Sequence, residues 1–312
     1  MFCDVDADAV FQNLTARSIY EVPVLLEKQG LDEVVLRKLD VDATNHPLDM
    51  AEWHDMVERM LKDYDRKVTL GVVGKYVELQ DSYISLTEAL RHAAMANEAN
   101  LDIKWINAEL VEEGEIDLEA ELKDVDCILV PGGFGSKGLE GKISAIKYAR
   151  ENKVPFFGIC LGMQCAIVEY ARHIGMTGAN TTEANAETAY PVIDILPDQQ
   201  DVEEKGSMRL GLYPCKVAAG SLTEKAYGEA LIYERHRNRY EVNNAYREEL
   251  EKNGLVIAGA LPNGRLVEIV ELPTDVHPWF MGVQFHPELK SRPTNPHPLF
   301  RDFIAAALKE QK

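Results

Sequence analysis

Two short segments of this 312-residue chain carry side chains suited to acyl transfer. The first is Phe157-Gly158-Ile159-Cys160-Leu161-Gly162-Met163-Gln164, a cysteine flanked by glycines between an apolar run and a helical pattern. A nucleophile on such a strand-to-helix elbow projects from a tight, strained turn, and the glycines keep Cβ atoms out of the crowded bend. The helix beginning after Cys160 would point its free N–H groups and positive dipole end at the sulfur, favouring the thiolate. The second segment is Gln284-Phe285-His286-Pro287-Glu288. His286 follows a strand-like run, and a bend after it would turn Glu288 onto the imidazole. That would supply the base and the orienting acid of a thiolate acyl-transfer site. Each segment also has a plainer reading: Cys160 as a buried structural cysteine, as Cys127 and Cys165 are read, and His286 as a surface histidine beside an ordinary carboxylate.

An oxyanion site is the third requirement. Pro131-Gly132-Gly133-Phe134-Gly135 closes a buried-type strand and exposes backbone N–H groups in a glycine-rich turn. Such a loop can instead cradle a phosphate, but no GKS or GKT follows it here.

The elements that must position these residues alternate between strand and helix. Apolar, β-branched runs at Val68–Val73, Leu101–Asn107, Cys127–Val130 and Val154–Ile159 predict strands, interleaved with helices around Ser82–Asn97, Gly141–Asn152 and Leu161–His173. This pattern predicts an α/β fold, a mainly parallel twisted sheet with helices on both faces and ligands at the C-terminal strand ends. From Tyr190 to Phe285, runs such as GLYPCKV, LIYERHRNRYEVN, LVIAGAL, RLVEIVEL and WFMGVQF predict additional mixed or antiparallel strands, before a closing helix at Pro298–Lys309. Residues 1–66 differ in character: two helical stretches separated by the Asn45-His46-Pro47 break, with no catalytic motif. Two regions are therefore expected, 1–66 and 67–312.

Composition narrows the function classes. A formal net charge of −19 repels phosphate backbones and argues against nucleic acid as a partner. No apolar run reaches the roughly 18 to 20 residues of a membrane span, and the acidic start MFCDVDADAV lacks the basic region of a secretion signal. The odd set of Cys3, Cys127, Cys160, Cys165 and Cys215 suits a reducing cytoplasm better than a disulfide framework. No CxxC, HxxxH or HExxH spacing occurs, so no metal site is expected.

Taken together, GxCxGxQ and HPE resemble the class I glutamine amidotransferases, which use a Cys-His-Glu triad; the matching positions are Cys160, His286 and Glu288. Further segments, Gly71–Tyr76 with ELQDSYISLTEAL, PGGFGSKGLEGKI, ERHRNRYEVNN and HPWFMGVQFHPE, resemble the glutaminase domain of the CTP synthase family from about Val68 onward. The resemblance implies hydrolysis of L-glutamine through a glutamyl thioester. It places Gly133 and Leu161 at the oxyanion and Gly162, Met163, Gln164 and Glu183 around the substrate. Arg239 would meet the α-carboxylate, for which a guanidinium fork is suited. Arg235 and Arg237 are read as structural or surface residues. Taken singly, Gln164, Glu183 and Arg239 also have plainer readings, as a cap, a solvated carboxylate and a surface cation.

MFCDVDADAVFQNLTARSIYEVPVLLEKQGL resembles the last part of that family's synthase (amidoligase) domain, with a linker after it; the rest of that domain is absent. The implied ATP, Mg and UTP sites belong to the absent part, GTP is the implied allosteric activator, and the glutaminase step needs no cofactor. The full-length enzyme is implied to be a homo-oligomer. SIYEVPVLLEKQGL is expected to present an apolar surface, and Lys205–Arg209 departs slightly from the family's usual Gly-Thr-Met-Arg. The alternatives are a γ-glutamyl peptidase or DJ-1-like hydrolase on the same scaffold, or a non-catalytic regulatory or assembly module.

Overall fold

The structure, a computed structural model, describes residues 4–42, 44, 47–195 and 208–311. Cys3, Asn45, His46 and Lys205–Ser207 therefore lie outside the described residues. The chain forms two compact units, Met1–Tyr64 and Asp65–Lys312. No helix among the described residues is long and apolar enough to cross a membrane.

The first unit contains helices at Val22–Glu27, Leu31–Lys38 and Ala51–Leu61. Pro23 occupies the first turn of one, where its missing N–H costs nothing. Gly30, at φ 74°, makes the sharp break before the next. Asp32 and Glu33 open that second helix and Arg37 and Lys38 close it, each sign at the dipole end it stabilises. Trp53 Nε1 donates to the Tyr20 carbonyl (2.9 Å) and His54 lies 2.6 Å from the Glu27 carboxylate, tying the third helix to the first. Val22, Leu26, Leu31, Val35 and Leu48 line an apolar groove that includes part of SIYEVPVLLEKQGL.

The second unit is built on strands β1 Arg66–Gly74, β2 Ala99–Asn107, β3 Cys127–Val130, β4 Phe156–Ile159, β5 Ala179–Thr181, β6 Tyr190–Asp194, β7 Arg209–Val217, β8 Leu231–Asn238, β9 Glu241–Val242, β10 Val256–Ala260, β11 Val267–Glu271 and β12 Phe280–Val283. Among the described residues nine of them make one sheet in the order β2-β1-β3-β4-β12-β11-β10-β7-β8, and β5-β6-β9 make a smaller one. From β2 to β12 neighbours are parallel; from β12 to β8 they are antiparallel.

Continuous apolar strands predict burial on both faces, and side-chain alternation sorts them into two cores. Val73, Ile128, Val130 and Phe156 pack with the helices Leu139–Asn152 and Leu161–His173. Their neighbours Val72, Cys127, Leu129 and Phe157 pack on the other face with the helices Ile84–Ala96 and Pro298–Glu310. Each such fully buried large side chain stabilises the fold by roughly 1.5–3 kcal/mol.

One run differs from its expected form. LIYERHRNRYEVN is not one strand: β8 stops at Asn238 and β9 starts at Glu241 in the other sheet. Arg239 and Tyr240 stand at the crossing. The short helices Leu222–Tyr227 and Asn244–Lys252 were also not expected, although Ser221 and Asn243 cap them with side-chain oxygens.

Candidate active site

Three adjacent strand ends assemble the site. β4 lies between β3 and β12, with Gly158 opposite Val130 and Ile159 opposite Val283. The residues that follow each strand therefore emerge side by side: the Pro131–Gly133 turn, Cys160, and the segment through His286. The C-terminal edge of a parallel sheet concentrates ligand sites for this reason.

Cys160 has φ 52° and ψ −104°, a conformation an L residue holds only where its surroundings force it. Its N–H donates to the Val283 carbonyl (2.7 Å) and its own carbonyl accepts from Gln164 N–H (3.2 Å), pinning the elbow at both ends. Gly162 is required by contact: a Cβ there would lie 2.1 Å from the Val130 carbonyl oxygen. Leu161 begins the following helix, so its N–H has no partner within that helix and faces the bend.

His286 is fixed through its backbone N–H, which donates to the Arg235 carbonyl (2.8 Å). The distant strand β8 thus reaches back over the strand ends, and its Arg237 carbonyl lies 3.8 Å from Cys160 Sγ. The His286 Nδ1 and Glu288 Oε1 are 2.7 Å apart, the bend at Pro287–Leu289 being a 3₁₀ turn. Burial opposes charging the ring, but hydrogen bonds to Cys160 and Glu288 and their charges outweigh it, raising the His286 pKa to about 10. The imidazole therefore holds its proton through neutral pH. By contrast, burial raises Cys165 to about 12 and pushes Cys215 and Cys127 well above the usual thiol value; these three thiols stay protonated.

Gln284, fully buried, was not singled out by sequence reasoning. It donates Nε2 to Cys160 Sγ (3.6 Å) and accepts from Gln164 Nε2 (3.1 Å), which also donates to the Tyr240 carbonyl (3.0 Å). Gln164 thus uses its nitrogen on the protein. Gly132 was missed too, although it meets the pair more closely than Gly133. A Cβ on it would stand 2.9 Å from His286 Cε1 and 3.4 Å from Cys160 Cβ. The only sequence signal for Gly132 was the doubled glycine; for Gln284 it was an uncharged polar residue inside an apolar run.

Cys160, His286, Gly132, Gly133 and Glu288 face a cavity of about 460 Å³, which Arg237 also lines. Arg237 is therefore not merely a surface cation; its guanidinium lies over the Phe134 ring at 5.6 Å. Gln164, Glu183 and Arg239 lie outside that lining. Glu183 accepts from Gly135 N–H (2.8 Å), and the Arg239 Nε is buried with no hydrogen-bond partner among the described residues. Burial first, and then the charge of Glu183, raise the Tyr240 pKa, while Arg239 opposes them; these three groups stand together. Gly162 and Met163 lie within the buried helix and act by packing.

The loop also holds the spacing Gly133-x-Gly135-x-x-Gly138 between β3 and a helix, as a dinucleotide-binding turn does. Here a carboxylate, Glu183, already occupies the Gly135 N–H, which disfavours a phosphate. Among the described residues no group of three or more His, Cys, Asp or Glu could hold a metal ion.

A sheet edge bearing a strained cysteine, a charged histidine and a glutamate on that histidine, beside a glycine-rich turn, has the make-up of an acyl-transfer site. The class-I glutamine amidotransferase family model matches residues 78–306, and the chain belongs to that family. Over its whole length it is similar to CTP synthases: 55% identical to that of Clostridium kluyveri over 313 residues, covering 100% of this chain and 57% of the relative. Identity to the CTP synthase of Pelotomaculum thermopropionicum is 56% over 311 residues, covering 99% and 57%. The solved glutaminase domain of Trypanosoma brucei CTPS with bound acivicin is 37% identical, with a TM-score of 0.72, over 78% of this chain and 95% of that one. The chain thus spans somewhat more than half the length of the curated relatives it matches.

Proposed function

We propose that this chain hydrolyses L-glutamine to glutamate and ammonia at Cys160. The reading is carried by one observation: a cysteine at positive φ in hydrogen-bonding contact with a histidine that Glu288 holds protonated. The thiolate attacks the side-chain carboxamide carbon of glutamine (Cδ) while the carbonyl π-electrons move to oxygen, where the Gly133 and Leu161 N–H groups receive them. His286 then passes its proton to the departing amine, the C–N bond breaks, and ammonia leaves a glutamyl thioester. In the second half His286 takes a proton from water, the hydroxide adds to the thioester, and glutamate departs with the thiolate restored. Gln284 keeps a donor on the sulfur throughout. Arg239, with its unpaired Nε, takes the α-carboxylate, and Gln164 and Glu183 take the remaining polar groups.

Within a complete CTP synthase this ammonia would aminate a UTP activated by ATP and Mg in the synthase domain, with GTP promoting glutamine hydrolysis and the subunits assembled as a homo-oligomer. The ATP, Mg and UTP sites are assigned to the synthase domain of such an enzyme; residues 1–66 are assigned to the end of that domain and 67–312 to the glutaminase. The similarity to CTP synthases supports this assignment.

The test is glutamate release from glutamine, beside Cys160→Ala. Release that vanishes in the variant while the fold persists is the expected result, a loss of about 10³-fold or more. Equal release from both proteins would reject Cys160 as the nucleophile. Acivicin, bound in the trypanosomal domain, gives a second readout: it should label Cys160 and no other cysteine.

A further inference from the structure

Lys142 is 1% exposed, yet its ammonium makes no hydrogen bond or ion pair with any described residue. It sits in the first turn of the helix Leu139–Asn152, the end where a positive charge is least welcome. Its Nζ lies 3.6 Å from the point a Cβ on Gly133 would occupy, directly behind the glycine turn. The same point is 3.6 Å from Leu161 Cδ2, so lysine, turn and elbow converge on one spot. The charged or titratable groups that bear on it are Cys165, Lys75, Glu109 and Cys160. Two of them can be anions, Glu109 and the Cys160 thiolate, and of the four Cys160 bears on it least. Cys165 is a neutral thiol, Lys75 is a second cation that donates to the Phe134 carbonyl (3.3 Å), and Glu109 makes no ion pair with it. Burial lowers the Lys142 pKa, as expected of an ammonium taken out of water without a partner.

A buried, unpaired ammonium is costly, and mutual attraction repays that cost only when an opposite charge is near. When a bound acyl group is attacked, negative charge leaves the Cys160 sulfur and gathers on the carbonyl oxygen against the Gly133 turn, beside the Lys142 ammonium. We propose that Lys142 is a positioning residue of the oxyanion site, its fixed positive charge acting through the Gly132–Gly133 turn without touching the reacting oxygen. The field is complemented more fully in the tetrahedral intermediate than by the thiolate with glutamine bound, so it favours the transition state over the ground state. The inference rests on the glutaminase reading above and deepens it.

The test compares an aldehyde with an amide. Glutamate γ-semialdehyde adds Cys160 reversibly: the thiolate pair forms the C–S bond, the C=O π pair moves to oxygen, and nothing leaves. Its affinity is measured for the full chain, for Cys160→Ala and for Lys142→Met, which fills similar volume without the charge. Glutamine binding is measured in Cys160→Ala with and without Lys142→Met. The expected result is aldehyde binding at least tenfold weaker in Lys142→Met, glutamine binding unchanged within twofold, and a Tm raised by about 2–4 °C as the burial cost disappears. Aldehyde affinity equal to that of the unaltered chain overturns the inference and leaves the glutaminase reading standing. A lowered Tm with both ligands weakened makes Lys142 a structural lysine and also overturns it. An unaltered chain that forms no Cys160-dependent adduct overturns the glutaminase reading and this inference together.

Discussion

Two histidines of the second unit stand beside glutamates and end up in opposite states. At the strand ends, His286 lies 2.7 Å from Glu288 and holds its proton to about pH 10. Inside the antiparallel half, His236 lies 3.4 Å from Glu268 and its pKa falls to about 3. Burial works against the charged ring in both. What differs is who holds the carboxylate. Glu268 is bound by Arg209 at 2.7 Å, and the same guanidinium holds Glu241 at 2.9 Å. Arg209 is also the second cause of the low His236 value. Among the described residues no such cation claims Glu288, whose ion pair is with the ring, while the thiol adds a second partner to His286. A His–Glu pair is thus an ion pair only where the glutamate is not already paired.

The largest effect should come from removing the cation. Arg209→Met leaves Glu241 and Glu268, both fully buried, without the guanidinium that hydrogen-bonds both, and should cost about 3–5 kcal/mol in urea denaturation. If the variant folds, His236 should titrate at a higher pH by NMR; a value still near 3 would mean that burial alone sets it. Next is Glu288→Gln, which keeps the shape but removes the charge that orients His286. Glutamate release should fall on the order of 10²-fold, about 2.7 kcal/mol in barrier, with the fold retained. Activity within threefold of the unaltered chain would show that Cys160 holds His286 charged without help.

The smallest effect is a slope. Burial first, opposed by Arg209 and reinforced by Glu241, raises the Glu268 pKa from 4.5 to about 8. The folded chain keeps this proton up to about pH 8, whereas the unfolded chain releases it near 4.5. Between those values the unfolded state binds fewer protons, so this group makes stability fall as pH rises. Glu268→Gln should remove that contribution, a slope of at most about 1.4 kcal/mol per pH unit, leaving the stability profile flatter from pH 5 to 8. An unchanged slope would place the shared proton elsewhere in the Arg209 cluster.

These cases also mark what could be read before folding was known. Cys160, His286 and Glu288 were legible because their chemistry is written locally: a glycine-flanked elbow, a strand end, a carboxylate two residues on. Even the helix from Leu161 to His173 has its predicted limits. Arg209, His236, Glu241 and Glu268 carry no such signature. Each is a polar residue in or beside a strand-like run, and alternation alone reads polar positions as solvent-facing. The break at Arg239–Tyr240 was hidden for a similar reason, since RHRNRYEVN alternates smoothly across the point where the chain changes sheets.

By itself the sequence determined the kind of chemistry and the elements that carry it, because turn sterics, periodicity and side-chain acidity act over a few residues. Only the tertiary structure decided which groups meet. The strand order β3-β4-β12 sets the glycine turn, nucleophile and base side by side, and the return of β8 over the strand ends brings the Arg235 carbonyl to His286. It likewise seals Lys142 behind Gly133 and Gln284 beneath the sulfur. Strand order and burial follow from packing between segments distant in the chain, and local residue patterns carry no record of which distant partner each segment takes.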